Sequence, residues 1–422
     1  MFKLKSFKDS EEEILKSGVI FLIGSIGVAI FNYLYHLSMG RMLGPADYGI
    51  LGSLFAIIYI VTYSTSAFNL TISKFSAEYK GKEKSDSLKA LIKKSLQSVA
   101  VIGLVILVIY LISTPFIARF MNLSSITGLI IVGLVAYLSI ISAVLTGALN
   151  GLHKFVWQNS AGFASTFIKF ILAITLVYIG LSVNGALLAL LIGILAGLFI
   201  SAYPIKHLLK GKTKEKLDSK KISIFLFFVF FASISSVSII TFDQILVKHY
   251  FSSADAGLYA AAGMIAKIIW FGSGFLTGAL FPKVVSLTAK GKNTSKLLKK
   301  SLLYTFSLAA IGCIVYFMFP EIIVSLLYGS DYSSIISFVP IFAVGMAFYS
   351  LTQILISYNL AKENYSFIWA IIIGFVFEML GIAFFHNSLT QVVYVFLSVN
   401  LAIVLALLFY SRKDIFNGGL VK

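Results

Sequence analysis

Four ionisable residues stand where charge is costly. Lys169, Lys267, Asp243 and Glu378 all fall inside long apolar stretches. On a lenient insertion scale a charge at the centre of a bilayer costs about 2.5–3.5 kcal/mol, so each needs an opposite charge, a water-filled cavity or a charged ligand. Lys267 lies about 13 Å into its stretch at a helical rise of about 1.5 Å per residue, with Gly263 and Gly274 on its face. Lys169 shares its face with Gln158, Gly162 and Ser165. Two chemistries fit. One is a pair of structural ion pairs. The other is a cationic floor for an anionic substrate, with an acidic site that couples transport to H⁺ or Na⁺. Glu378 and Asp243 are the ion-coupling candidates; Glu378 is mid-span, whereas Asp243 is near the end of its stretch, which favours a structural role.

Polar stripes accompany these charges. Tyr59, Thr62, Tyr63, Ser66, Asn69 and Ser73 recur at spacings of three and four, which places them on one helical face. Ser25, Asn32 and His36 form a second stripe, Ser139, Ser142, Thr146 and Asn150 a third, and Ser350, Gln353 and Ser357 a fourth. Any single hydroxyl or amide reads equally well as an interhelical hydrogen bond; together they suit the lining of a wet cavity. Asn32, Tyr59, Tyr63, Ser66, Asn69 and Gln353 join Lys169 and Lys267 as candidate substrate contacts. His36 and His153 are assigned no role. The single cysteine, Cys313, reads as a small buried hydrophobe. No Cys/His cluster and no glycine-rich phosphate loop is present, so no metal, cofactor or ATPase activity is expected.

The elements that must position these residues follow from composition. The 422 residues are 59% hydrophobic and 12% charged, with a mean hydropathy of +0.96, values of the membrane class. Twelve stretches are long enough for a bilayer of roughly 30 Å: 17–39, 48–72, 95–118, 126–149, 158–180, 184–205, 222–247, 258–281, 301–327, 335–359, 366–385 and 390–411. Backbone polar groups must be satisfied within lipid, so an all-α integral membrane protein is predicted. The first stretch is too long, and too closely preceded by Glu11, Glu12 and Glu13, for a cleaved signal peptide. Of the 34 Lys and Arg residues, 29 fall on one side if the N-terminus is cytoplasmic, three (Arg41, Arg119, Lys248) fall on the other, and Lys169 and Lys267 lie within spans. That bias predicts a multi-pass protein of the cytoplasmic membrane with both termini in the cytoplasm. The net charge of +17 is therefore topological. Anionic membrane lipids, not nucleic acid, are its expected neighbours.

The two halves repeat. Ala46-Asp47-Tyr48-Gly49 is echoed by Ala254-Asp255-Ala256-Gly257, Lys93-Lys94-Ser95-Leu96 by Lys299-Lys300-Ser301-Leu302, Pro115 by Pro320 and Asn150 by Asn359. Six helices per half is an even number, so both halves enter on the same side and the repeat is parallel. The expected organisation is a six-helix lobe at 1–205, a cytoplasmic linker at 206–221 and a second six-helix lobe at 222–422, around a central cavity suited to alternating access.

Several segments carry a family likeness. The run Gly40-Arg41-Met42-Leu43-Gly44-Pro45-Ala46-Asp47-Tyr48-Gly49, then Asp243-Gln244-Ile245-Leu246-Val247, Ala256-Gly257-Leu258-Tyr259-Ala260-Ala261 and Ala279-Leu280-Phe281-Pro282 resemble the polysaccharide flippases of the multidrug/oligosaccharidyl-lipid/polysaccharide exporter superfamily. So do Gly147-Ala148-Leu149-Asn150-Gly151 and Leu327-Tyr328-Gly329 with Tyr332. The resemblance implies a V-shaped pair of lobes moving a lipid-linked oligosaccharide to the outer leaflet, with glycan-synthesis enzymes nearby. An anionic lipid-linked glycan would then be held by Lys169, Lys267 and, at the outer mouth, Arg41; this assignment comes from charge and depth and is not a family motif. A multidrug or cation exporter of the same superfamily is the first alternative, though it would carry more acid than base in its cavity. A membrane polymerase or glycosyltransferase is the second, disfavoured because no loop is large enough to house catalytic groups.

Overall fold

The computed structural model describes residues 2–209, 219–289, 292–362 and 364–416. Among them there is no strand. The helices are α1 (Phe2–Gly81), α2 (Ser85–Phe120), α3 (Thr127–Gly151), α4 (Phe155–Leu176), α5 (Ser182–Ala202), α6 (Lys206–Leu209), α7 (Ser219–Ser238), α8 (Phe242–Tyr250), α9 (Ser253–Ala289), α10 (Ser295–Met318), α11 (Pro320–Leu327), α12 (Val339–Ala361), α13 (Ile368–Phe384), α14 (Leu389–Tyr410) and α15 (Arg412–Phe416). Eight described helices are long and apolar enough to cross a membrane, or nine if a bent pair is one span, and α13 is a shorter apolar helix. The protein is a multi-pass helical membrane protein.

Breaks in these helices have local causes. α1 is interrupted at Gly44, whose φ of 70° is open to a residue without Cβ, with Pro45 next. A π-turn at Val177–Leu181, broken at Gly180, separates α4 from α5. The expected stretch 222–247 divides into α7 and α8 across Ile239–Thr241, where no Gly or Pro announces a break; the sequence there is rich in Ser and β-branched residues, which are weak helix formers. The stretch 301–327 likewise divides, at Phe319, because Pro320 opens α11.

Contacts sort the chain into two compact units, one of residues 1–43 and 57–234, the other of residues 44–56 and 235–422. The segment that opens the second arm of α1 therefore packs with the second sequence half. Much of the expected linker at 206–221 lies outside the described residues. Unit 1 has an apolar core of Phe75, Leu91, Ile92, Val144, Leu149, Ile205 and Leu208, and its helices approach through glycines. A Cβ at Gly147 would meet the Asn69 carbonyl at 2.6 Å, and one at Gly151 the Ser73 carbonyl at 2.4 Å. The Gly147–Gly151 pair is thus a small-xxx-small contact of α3 on α1.

In unit 2 the repeated motifs meet. A Cβ on Gly257 would stand 1.8 Å from the Pro45 carbonyl oxygen, and one on Gly49 would stand 1.9 Å from that of Ser253. At the far end of unit 2, Lys362 pairs with Asp414 at 2.5 Å. Burial opposes the charge on Lys362, but the hydrogen bond it donates to Asp414 and the neighbouring Tyr358 outweigh it and hold its pKa above the ordinary value.

Candidate functional site

Unit 1 holds a buried cation. Lys169 on α4 is 4% exposed and has no carboxylate within ion-pair distance among the described residues. Its Nζ donates to Asn32 Oδ1 on the first arm of α1 and lies 4.4 Å from the centroid of the Tyr35 ring. A neutral amide and a ring face are weak compensation for a desolvated ammonium. Close packing fixes the lysine: a Cβ on Gly193 of α5 would meet the Ser165 carbonyl at 2.5 Å and Lys169 Cβ at 3.1 Å. Asn32 Nδ2 donates to the Val28 carbonyl at 3.0 Å, which leaves the side-chain oxygen aimed at the lysine.

From there polar groups continue along α1. Tyr35 donates to the Ala186 carbonyl at 3.0 Å. His36 Nε2 and the Tyr59 hydroxyl are 2.6 Å apart, and the Tyr59 and Tyr63 rings stack edge-on at 6.4 Å. Thr62 and Ser66 are exposed, and Ser66 Oγ donates to Ser233 Oγ at 3.3 Å. Further on, Asn69 Nδ2 donates to Thr146 Oγ1 at 2.8 Å and Asn150 Nδ2 reaches Asn69 Oδ1 at 3.5 Å. Two stripes expected to share a cavity thus bond to one another. Replacing Asn69 by Ala removes both bonds, and about 0.6 to 2 kcal/mol of stability should go with them, read as an earlier thermal transition in detergent. Arg41 is exposed and stands roughly 13 Å along the helix from Asn32 at about 1.5 Å per residue.

Unit 2 collects the remaining charges. Asp243, 2% exposed, lies in the first turn of α8. Its Oδ2 accepts from the Tyr259 hydroxyl at 2.6 Å and its Oδ1 from the Gln244 amide at 2.8 Å. Lys267 on α9 and Glu378 on α13 both interact electrostatically with Asp243. Glu378 is 0% exposed, and neither of its oxygens has a hydrogen-bond partner among the described residues. Gln353 of α12 is occupied: its Nε2 donates to Ser236 Oγ at 2.6 Å, beside the Tyr349 hydroxyl, which donates to the Ser236 carbonyl at 3.1 Å. Reading the sequence did not single out Ser236 or Asn400, since a lone Ser or Asn in an apolar stretch carries no distinguishing signal, and it met Tyr259 only as part of the Ala256–Ala261 motif.

Residues 14–288 match the model of a family described as polysaccharide biosynthesis protein. The chain belongs to that family. A relative from Haemophilus influenzae, the Lsg locus putative protein 1, is 24% identical over 342 residues, 76% of this chain and 78% of its own. Among solved structures, an inward-facing multidrug resistance MATE family transporter of the MOP superfamily aligns at a TM-score of 0.78 and 14% identity, covering 94% of this chain and 98% of its own. The lipid II flippase MurJ in an inward closed conformation aligns at 0.72 and 18%, covering 94% and 89%. At 0.62 and 15% stands a Pyrococcus furiosus MOP transporter whose binding pocket is described as of reverse polarity, covering 95% of each chain. This polysaccharide biosynthesis family member thus has the fold of the MOP transporters it aligns with.

Several of the motifs that carried the resemblance meet in unit 2, whereas Gly147–Gly151 packs in unit 1. Asp243 bonds Tyr259, while Gln244 Nε2 donates to the Ala256 carbonyl at 2.9 Å and to Ser53 Oγ at 3.4 Å. Gly257 crosses Pro45 and Gly49. The Tyr48 and Tyr328 hydroxyls meet at 3.0 Å, and Tyr332 packs on both rings, at 6.4 Å and 5.0 Å between centroids. These segments hold helices together. The buried cation lies elsewhere, in unit 1.

Proposed function

We propose that the protein is a flippase that moves an anionic lipid-linked oligosaccharide from the inner to the outer leaflet by alternating access. In this reading the chain crosses the cytoplasmic membrane twelve times, as two six-helix repeats joined by the 206–221 linker, with both termini in the cytoplasm. The observation that carries it is Lys169: a buried ammonium with no carboxylate partner among the described residues, backed by Asn32 and Tyr35, is a site in want of an anion. The phosphate or diphosphate of a lipid carrier supplies one, and a charge-assisted bond in a low-dielectric site is strong. Tyr59, Tyr63, Ser66 and Asn69 offer ring faces, hydroxyls and an amide to the sugar, and the lipid tail stays in the bilayer. A cation exporter would need buried acid here, and the described spans of unit 1 carry none.

The direct test is reconstitution. In vesicles loaded with lipid-linked oligosaccharide on one leaflet, the protein should expose the sugar to an enzyme added on the other side; export of cationic drugs with no sugar movement overturns the proposal. The wet face is tested separately, on a Cys313→Ser background. Ser66→Cys should react with a membrane-impermeant thiol reagent and Thr65→Cys, whose parent is 5% exposed, should not. Equal protection of both positions would mean that the Ser66 face meets lipid or protein and not water.

A further inference from the structure

Around Glu378 the interior of the second unit carries a charge imbalance. Two carboxylates, Asp243 and Glu378, and one ammonium, Lys267, interact in its interior. Asp243 is well provided for, with the Tyr259 hydroxyl, the Gln244 amide and Lys267. Glu378 has none of this among the described residues: both oxygens are buried without a hydrogen-bond partner, and the charge that acts on it is that of Asp243, of its own sign. Ionised, it would be a bare carboxylate in hydrocarbon, at a cost no fold sustains without a counter-charge.

A second orphan lies on the neighbouring helix. α13 and α14 run antiparallel, with Gly374 against Ile403 and Val399, and Gly381 against Val395. Glu378, between those glycines, faces the stretch 395–403, which carries Asn400 and no ionisable residue. Asn400 is 0% exposed; its Nδ2 donates to the Phe396 carbonyl at 2.9 Å, while its Oδ1 has no donor. The ionisable neighbours contributed by α8 and α9 are Asp243, Tyr259 and Lys267; Lys248 and His249 lie at the other end of α8. Three orphan oxygens on two adjacent helices are all acceptors, and what they lack is positive charge.

We propose that this site binds a proton, held on Glu378 and donated to Asn400 Oδ1. One proton with Lys267 balances two carboxylates, whereas a metal ion needs a fuller shell of oxygens than two side chains provide, and no cluster of metal-ligating residues occurs among those described. If the flippase reading holds, this is where transport is linked to the proton gradient; the site itself stands without that reading.

The test uses purified protein in lipid nanodiscs and needs no substrate. Infrared difference spectroscopy at neutral pH should show the carbonyl band of a buried carboxylic acid. That band should vanish in Glu378→Gln, and shift in frequency in Asn400→Leu as its acceptor is removed. In Lys267→Met, Asp243 should take up a proton in turn and a second acid band appear. Absence of the band from the wild type, its survival in Glu378→Gln, or its loss on adding sodium at constant pH would each overturn the proposal. Under the flippase reading, Glu378→Gln also abolishes the response of flipping to an imposed pH gradient. Should no flipping be seen in any variant while the acid band behaves as stated, the function fails and the proton site stands.

Discussion

Replacing Lys169 by Met is expected to cut flipping of an anionic lipid-linked oligosaccharide about 10- to 100-fold, the equivalent of the roughly 1.5–3 kcal/mol of a hydrogen bond to a charged group. Folding should not suffer. Met fills nearly the same volume, and exchanging a buried charge for a matched hydrophobe is commonly neutral or stabilising. The outcome thus separates the two roles weighed from sequence. A structural lysine would lower the melting temperature when removed, its bond to Asn32 Oδ1 and contact with the Tyr35 face outweighing the desolvation of the ammonium that Met avoids. A substrate lysine lowers transport and leaves or raises stability. Lys169→Arg keeps the charge and should retain part of the activity. Full flipping by Lys169→Met would remove the cationic site from the mechanism.

What the sequence made legible was set by the strength of its signals. Long apolar runs oblige helices, and charges within them oblige partners; hence Lys169, Asp243, Lys267 and Glu378 stand out from the sequence alone. The stripe from Tyr59 to Ser73 was visible because helical spacing puts those residues on one face, and Thr62 and Ser66 on it are indeed exposed. The use of each polar group was not visible. Gln353, a candidate for substrate contact, is bonded to Ser236. Asn69 divides itself between Thr146 and Asn150, because a buried amide takes whatever partner the neighbouring helix offers. The break at Ile239–Thr241 lacked a Gly or Pro to mark it. Least legible was the assortment of residues 44–56 with the second unit, which depends on a glycine contact between segments 208 residues apart in the chain.

That contact is the second place where a single atom should have a large effect. Gly257→Ala puts a methyl group 1.8 Å from the Pro45 carbonyl oxygen, and Gly49→Ala puts one 1.9 Å from that of Ser253. Backbone atoms cannot rotate aside as a side chain can, so the segment holding Pro45 must move away from α9 by more than an ångström. Overpacking typically costs about 1–3 kcal/mol, and here Gln244, which bridges Ala256 and Ser53, would be stretched as well. Gly274→Ala is the internal control: it lies on the same helix with nothing within 4 Å of the added methyl, and removing a mid-helix glycine should gain stability by up to about 1 kcal/mol. The expected result is a lower melting temperature for Gly257→Ala and Gly49→Ala and an unchanged or higher one for Gly274→Ala. If all three melt alike, the motif glycines are not there for close packing. If only the first two fall, the repeated Ala-Asp-x-Gly motif owes its place to backbone contact, which explains how the same four-residue pattern serves both halves although only unit 2 brings its copies together.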